Sequence, residues 1–372
     1  MLKNERNKNL ADTLNNNRIY IFLVLIALIM WLFNGRFLSA GNVVPLLKTS
    51  VIFIIAGIGF TYVMICGNFD LSIASMINVG ACVSIGSFNY FFKLMGGSST
   101  NLAPLIPAWI IGFLLAMLAG GVFGMINGLL VAKGKVHSFI VTIGMLTALS
   151  GFVYTFCDGN TLSAVNYALT DVIDSPIFAK SVTRPMPYLK VLTPRFITMC
   201  ILIIGFEVLL QKTKWGRNFF MTGSNKEVAW QAGIDTDKMV IQSFVISGVM
   251  AALSGALFAI SMNAAVPNYG ERGISPLSIV LAATIIGGTS MLGGSGSVLK
   301  TAVAVVAVQA LFSGLIMLGA GFDLQVLCAG ILLSSVVLFE AYSIYRQGLK
   351  KGQRPTMMAE AMKLKMAKRA KM

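Results

Sequence analysis

The chain has 372 residues, 56% of them hydrophobic and only 12% charged, with a mean hydropathy of +0.80. A soluble domain carries roughly 25% charged residues, so the polar surface needed to clothe a water-soluble enzyme is missing. The net charge of +15 raises nucleic acid as a partner, but its placement argues for no nucleic acid. Lys3, Arg6, Lys8 and Arg18 precede the first apolar run, and nine basic residues lie between Arg346 and Lys371, after the last one. Basic ends flanking apolar spans mark cytoplasmic segments.

The apolar runs are continuous rather than alternating. In lipid a backbone must satisfy its own hydrogen bonds, which leaves helices for such runs. The expected fold is an all-α integral membrane protein with about ten transmembrane helices, some broken or re-entrant. The spans fall near 19–35, 49–66, 71–92, 103–131, 137–157, 195–211, 240–262, 278–292, 298–318 and 322–343. An even count puts both termini on one side, expected to be cytoplasmic. Residues 1–18 then form an N-terminal segment, 19–343 the membrane domain and 344–372 a basic tail. The first run lacks a small-x-small cleavage pattern and reads as a retained helix. Segment 158–194 falls outside and segment 212–238, rich in lysine, falls inside.

Two glycine-rich interruptions follow the second and eighth runs. The first is GNFDLS, Gly67 to Ser72, and the second is GGTSMLGGSGS, Gly287 to Ser297. Broken helices in a bilayer persist where protein or a water-filled cavity meets the freed backbone, and in transporters they often border the path. Gly67, Gly287, Gly288, Gly293 and Gly294 are the hinge candidates, and Asn68, Asp70, Ser72, Thr289 and Ser290 the polar groups beside them. An acidic residue between apolar spans is costly, which makes Asp70 the sharpest single position. Two roles fit it: a cap for the helix starting at Leu71, or a pathway group binding substrate hydroxyls. Asp323 poses the same choice, and Glu207 can reach interfacial water, Lys212 or Lys214.

The fourth span repeats a small residue every fourth position, at Gly112, Ala116, Gly120, Gly124 and Gly128, which reads as a packing seam. Ser247, Ala251 and Gly255 repeat the pattern in the seventh. In the 212–238 loop, Ser224 or Asn225 can cap a short helix with Glu227 in its first turn and Val228, Ala229 and Ala232 on one side. Gly233 suits its end. The single histidine, His137, is a polar anchor at a span start. The five scattered cysteines have no metal spacing. No catalytic set or metal site can be built. Gly294 to Thr301 misses a P-loop because Leu299 replaces its second glycine.

These segments resemble the permease subunits of bacterial ABC importers, in the ribose/galactose/xylose branch. GNFDLSIA, from Gly67, looks like that family's GGIDLSVG. The stretch Gly216 to Ala256 looks like its GRxxxAxGxNxxAAxxxGI loop and following helix, and IGGTSMLGGSGSV, from Ile286, looks like IGGTSLxGGxGS. The resemblance implies a passive conduit in the bacterial inner membrane. It also implies two cytosolic ABC ATPase subunits, an extracytoplasmic substrate-binding protein, and a second permease copy or a related permease. ATP and Mg would reside on the partner ATPase, with no cofactor on this chain. The family's coupling helix falls on Asn225, Val228, Ala229, Gly233 and Ile234. Where many sugar permeases have an acidic YELDAIAA run, this chain has Gly273 to Val280 without carboxylates, which leaves the solute open. A monosaccharide or similar small polyhydroxylated solute is expected. Nucleosides, autoinducer-2 and branched-chain amino acids are the same-class alternatives, and an ion-coupled secondary transporter is the rival class.

Overall fold

The computed structural model describes residues 18–267 and 275–350. The basic residues Lys3, Arg6 and Lys8, the stretch 268–274 with Gly273 and Ile274, and tail residues 351–372 lie outside the described residues. The described chain is almost wholly helical. Its ten principal helices are α1 (Arg18–Phe33), α2 (Ala40–Ile65), α3 (Ile73–Leu94), α4 (Leu105–Ala132), α5 (Ser138–Phe156), α8 (Pro194–Lys212), α11 (Thr236–Met262), α12 (Pro276–Ile286), α13 (Val298–Met317) and α14 (Phe322–Lys350). Between them lie short helices α6 (Ala168–Asp174), α7 (Lys180–Thr183), α9 (Lys214–Ser224) and α10 (Lys226–Gln231). A two-stranded antiparallel ribbon pairs β1 (Leu162–Ser163) with β2 (Ala264–Ala265).

The ten principal helices match the ten expected spans one for one. Seven are long and apolar enough to cross a membrane: α2, α4, α5, α8, α11, α13 and α14. The 22-residue α3 is long enough but carries Ser75, Asn78 and Ser84, all buried against other helices rather than lipid. Three boundaries move. α14 runs on to Lys350, beyond the expected 343. α2 starts at Ala40, not near 49, and Lys48 within it donates to the Asp174 carbonyl at 3.0 Å. α12 stops at Ile286, well short of 292, and its 11 residues span only about half a hydrocarbon core.

The seam in α4 forms as expected. Gly112, Ala116, Gly120, Gly124 and Gly128 are all buried, while Leu114, Leu118 and Leu130 on other faces are exposed. A methyl group added at Gly128 would sit 2.7 Å from Ile241 Cα of α11, and one at Gly112 would sit 2.7 Å from the Ser84 carbonyl of α3. Backbone-to-backbone approach is how helices associate where lipid removes the hydrophobic drive. α11 and α2 form the buried centre, whereas α14 and α5 present mostly exposed apolar surface.

Segment 158–194 is a folded cover rather than a plain loop. Asp174 at the end of α6 pairs with Arg195 at 3.1 Å, and the Tyr188 hydroxyl donates to the Leu38 carbonyl at 2.9 Å. This cover and the ribbon define one end of the bundle. α9 and α10 lie at the other.

Candidate functional site

Both interruptions are helix stops of the same construction. At the end of α2, Gly67 adopts φ +74°, its N–H donates to the Met64 carbonyl at 2.8 Å and the Asn68 N–H to Val63 at 3.1 Å. At the end of α12, Gly288 adopts φ +90°, with Gly288 N–H to Ile285 at 2.9 Å and Thr289 N–H to Thr284 at 3.2 Å. This paired bonding around a left-handed glycine is the Schellman termination, which satisfies carbonyls left over at a helix end. Both stops lie at the α10 end. The Gly294 N–H donates to the Ile65 carbonyl at 2.9 Å, so the two breaks touch.

Asp70 is fully buried. One carboxylate oxygen accepts from the Ser72 N–H at 3.1 Å and the Ser72 hydroxyl at 2.5 Å, and the other accepts from the Ser247 hydroxyl of α11 at 2.7 Å. Asn127 of α4 donates to the Ser72 hydroxyl at 3.0 Å. The carboxylate therefore bonds the turn that opens α3 and ties that turn to α4 and α11. Among the other polar candidates, Ser72 and Thr289 are buried, and Asn68 and Ser290 are half-buried. The Thr289 hydroxyl has no partner among the described residues. Ser290 organises its own loop, accepting from the Leu292 N–H at 3.2 Å.

Glu207 is held by a neighbouring helix in the bundle. Its carboxylate accepts from the Ser297 hydroxyl at 2.9 Å and the Leu299 N–H at 3.2 Å, at the start of α13. A carboxylate at a helix N-terminus meets unpaired N–H groups and the positive end of the dipole. His137 caps α5, its Nδ1 accepting from Phe139 N–H at 3.4 Å, and Asp323 lies in the first turn of α14.

The 212–238 segment is two helices, and sequence reasoning missed the first. Thr213 caps α9 by accepting from Gly216 N–H at 3.0 Å. Trp215 and Phe219 of α9 clasp Tyr62 near the end of α2, with ring centroids 5.9 and 5.2 Å from the tyrosine. Trp215 also donates to Gln242 of α11 at 2.9 Å. The i, i+4 aromatic spacing behind a threonine was the available signal; two glycines obscured it.

α10 then begins at the expected cap. Asn225 accepts from Glu227 and Val228 N–H at 3.0 and 3.1 Å. It ends at Gly233, φ +81°, with Ile234 N–H bonded to Ala229 O at 3.0 Å, a third Schellman stop. The facing differs from expectation. Ala229 is 1% exposed, whereas Val228 is 54% and Ala232 is also exposed, so Ala229 does not share their side. The largest outward side chain is Trp230, at 71%, which the sequence reading did not single out. Lys226 pairs with Asp237 at 3.0 Å and Lys135 pairs with the same carboxylate at 3.1 Å, tying α10 to α11 and to the α4–α5 turn.

Residues 42–338 match the family described as branched-chain amino acid transport system / permease component. The chain belongs to that family. The permease is 29% identical over 328 residues to the autoinducer 2 import system permease protein of Photorhabdus luminescens, covering 88% of this chain and 90% of the relative. It is 28% identical over 323 residues to the ribose import permease protein of Bacillus subtilis, covering 86% and 91%. The ribose import permease of Haemophilus influenzae is 26% identical over 344 residues, covering 92% and 98%. No solved structure matches the chain. The permease is therefore the multi-pass transport subunit of an ABC importer. ATP is hydrolysed on separate ATPase subunits, and a substrate-binding protein belongs to the system.

Proposed function

We propose that the permease moves a monosaccharide or similar small polyhydroxylated solute inward across a bacterial cytoplasmic membrane, with its ATPase subunits seated on α10. Relatives whose names specify ribose or autoinducer 2 support the solute class. The observation that carries the reading is α10. Val228 and Trp230 project apolar surface outward from a helix whose two ends are fixed by Asn225 and Gly233. An exposed tryptophan in a rigid frame is the kind of anchor on which protein contacts concentrate.

In this reading the α10 end faces the cytoplasm, and both termini lie there. Ala229 and Ile234 seat the coupling helix, while ATP and Mg stay on the ATPase. The ribbon end receives the binding protein, and a second permease copy or a related chain completes the path. Asn68 and Ser290 line its cytoplasmic mouth, with Asp70 and Ser72 holding the backbone behind them and Thr289 buried beside Ser290.

The test is uptake of labelled ribose by proteoliposomes holding permease, ATPase and binding protein. Uptake that requires ATP and survives ionophores is expected. Uptake by the permease alone, driven by a proton gradient, would refute the reading. Transport of leucine or adenosine in place of ribose would overturn the solute class alone.

A further inference from the structure

Three backbone segments meet at the α10 end at close range, with the Ser224 side chain lying against Gly294. They are the end of α2 at Ile65–Gly67, the end of α9 at Gly223–Ser224 and the second break at Leu292–Gly294. A methyl group built on Gly223 would overlap the Ile65 carbonyl oxygen and lie 2.8 Å from Gly294 N. One on Gly293 would lie 2.8 Å from Gly67 N and 2.9 Å from the Gly223 carbonyl oxygen, and one on Gly294 would lie 2.9 Å from Ser224 Cα. Gly67, Gly293 and Gly294 all take φ between +74° and +86°. The contact thus requires glycine twice over, for the left-handed backbone and for the room.

The surroundings are fastened to the same point. Gln211 donates to the Gly296 carbonyl at 3.1 Å, Glu207 holds Ser297, and the Tyr62–Trp215–Phe219 cluster binds α9 to α2. On the far side of the first break, Phe69 N–H donates to Ser138 at the start of α5 at 3.2 Å. Ser224 is followed at once by Asn225, the cap of α10.

We propose that Gly223 is the positioning residue through which a displacement of α10 enters both helix breaks together. The inference rests on α10 being the ATPase contact. Close-packed backbone does not compress. A push on α10 cannot be absorbed at Gly223–Ser224 and must shift the end of α2 and the Leu292–Gly294 turn as one body. The two breaks then respond to a single input, where separate linkages would let one open without the other. α9 works as the arm of this device, held along its length by the aromatic clasp and bearing on the junction at its tip.

The test uses the complete transporter in proteoliposomes, with Gly223→Ala compared against Gly205→Ala on α8, where a methyl group meets nothing within 4 Å. Gly223→Ala is expected to retain the ATPase on purification and to hydrolyse ATP, while solute moved per ATP falls about tenfold, within the usual range for a coupling term. Gly205→Ala should match the parent. An unchanged ratio in Gly223→Ala would overturn the proposal, whereas failure of the parent complex to retain ATPase would strike at the α10 reading instead. If Gly223→Ala does not assemble, spin labels on Glu227→Cys and Leu292→Cys, with Cys200 and Cys328 changed to Ser, ask the same question. One distance distribution that stays fixed when ATP binds supports a single body. A distribution that shifts with ATP overturns it.

Discussion

The Ser247 hydroxyl donates to the Asp70 carboxylate across 2.7 Å, joining residues 177 positions apart in sequence. With the two bonds from Ser72, the carboxylate accepts three donors inside a site closed to solvent. Removing it leaves those donors without a partner, and each buried unsatisfied group costs about 1–3 kcal/mol. Asp70→Ala should therefore destabilise the permease by about 3 kcal/mol or more. Asp70→Asn should cost about 1 kcal/mol, since asparagine can accept within the same turn and serine hydroxyls can turn to accept. Thermal unfolding in detergent reads both. Equal losses for the two variants would rule out the turn-bonding and cross-linking account.

Gly288 and Gly205 separate two effects of glycine in one protein. Gly288 sits at φ +90°, where a side chain costs about 1–2 kcal/mol. Gly205 lies inside α8 in open space, where alanine favours the helix by about 1 kcal/mol. Gly288→Ala should lower the unfolding temperature, and Gly205→Ala should leave it level or raise it. The same sign for both would mean that the break at α12 does not depend on its left-handed turn.

The helices were legible in the sequence because lipid imposes one requirement, a continuous apolar run, and ten such runs became ten helices. Glycine marked the stops at Gly67 and Gly288 for an equally local reason. What escaped was non-local. α3 is polar for a span, and its buried Asn78 donates to the Pro267 carbonyl, 189 residues away. Glu207 looked like an interfacial charge, yet its partners lie 90 or more residues away. α9 was hidden because its helical face is paid for by Tyr62 and Gln242, on other elements.

The α4–α11 seam predicts a steep response to size. A methyl group on Gly120 would overlap the Gly248 carbonyl oxygen and press on Ala252 Cβ at 2.6 Å. Overpacking of a close-packed contact typically costs about 1–3 kcal/mol. Gly120→Ala should fall in that range and Gly120→Leu should prevent accumulation of folded permease, while Gly121→Ala, facing only a Val249 methyl at 3.3 Å, should be mild. Size-exclusion profiles and unfolding temperatures of the three variants test the ranking.

The exposed and buried sides of α10 make opposite predictions for adjacent residues. The Val228 and Trp230 side chains stand out from the body, so Val228→Glu and Trp230→Ala should leave its unfolding temperature within about 1 °C, as surface changes do. If the ATPase seats there, both should lose it on co-purification, since truncating a central aromatic anchor commonly costs about 2 kcal/mol or more of binding. Ala229, at 1% exposure, lies beneath the helix, and Ala229→Glu would bury an unpaired carboxylate. That variant should lose the ATPase as well, but through unfolding of the α9–α10 segment, visible as new protease cleavage between Lys212 and Lys238. Protease resistance in Ala229→Glu together with normal ATPase yield in Trp230→Ala would mean that the contact lies on another face.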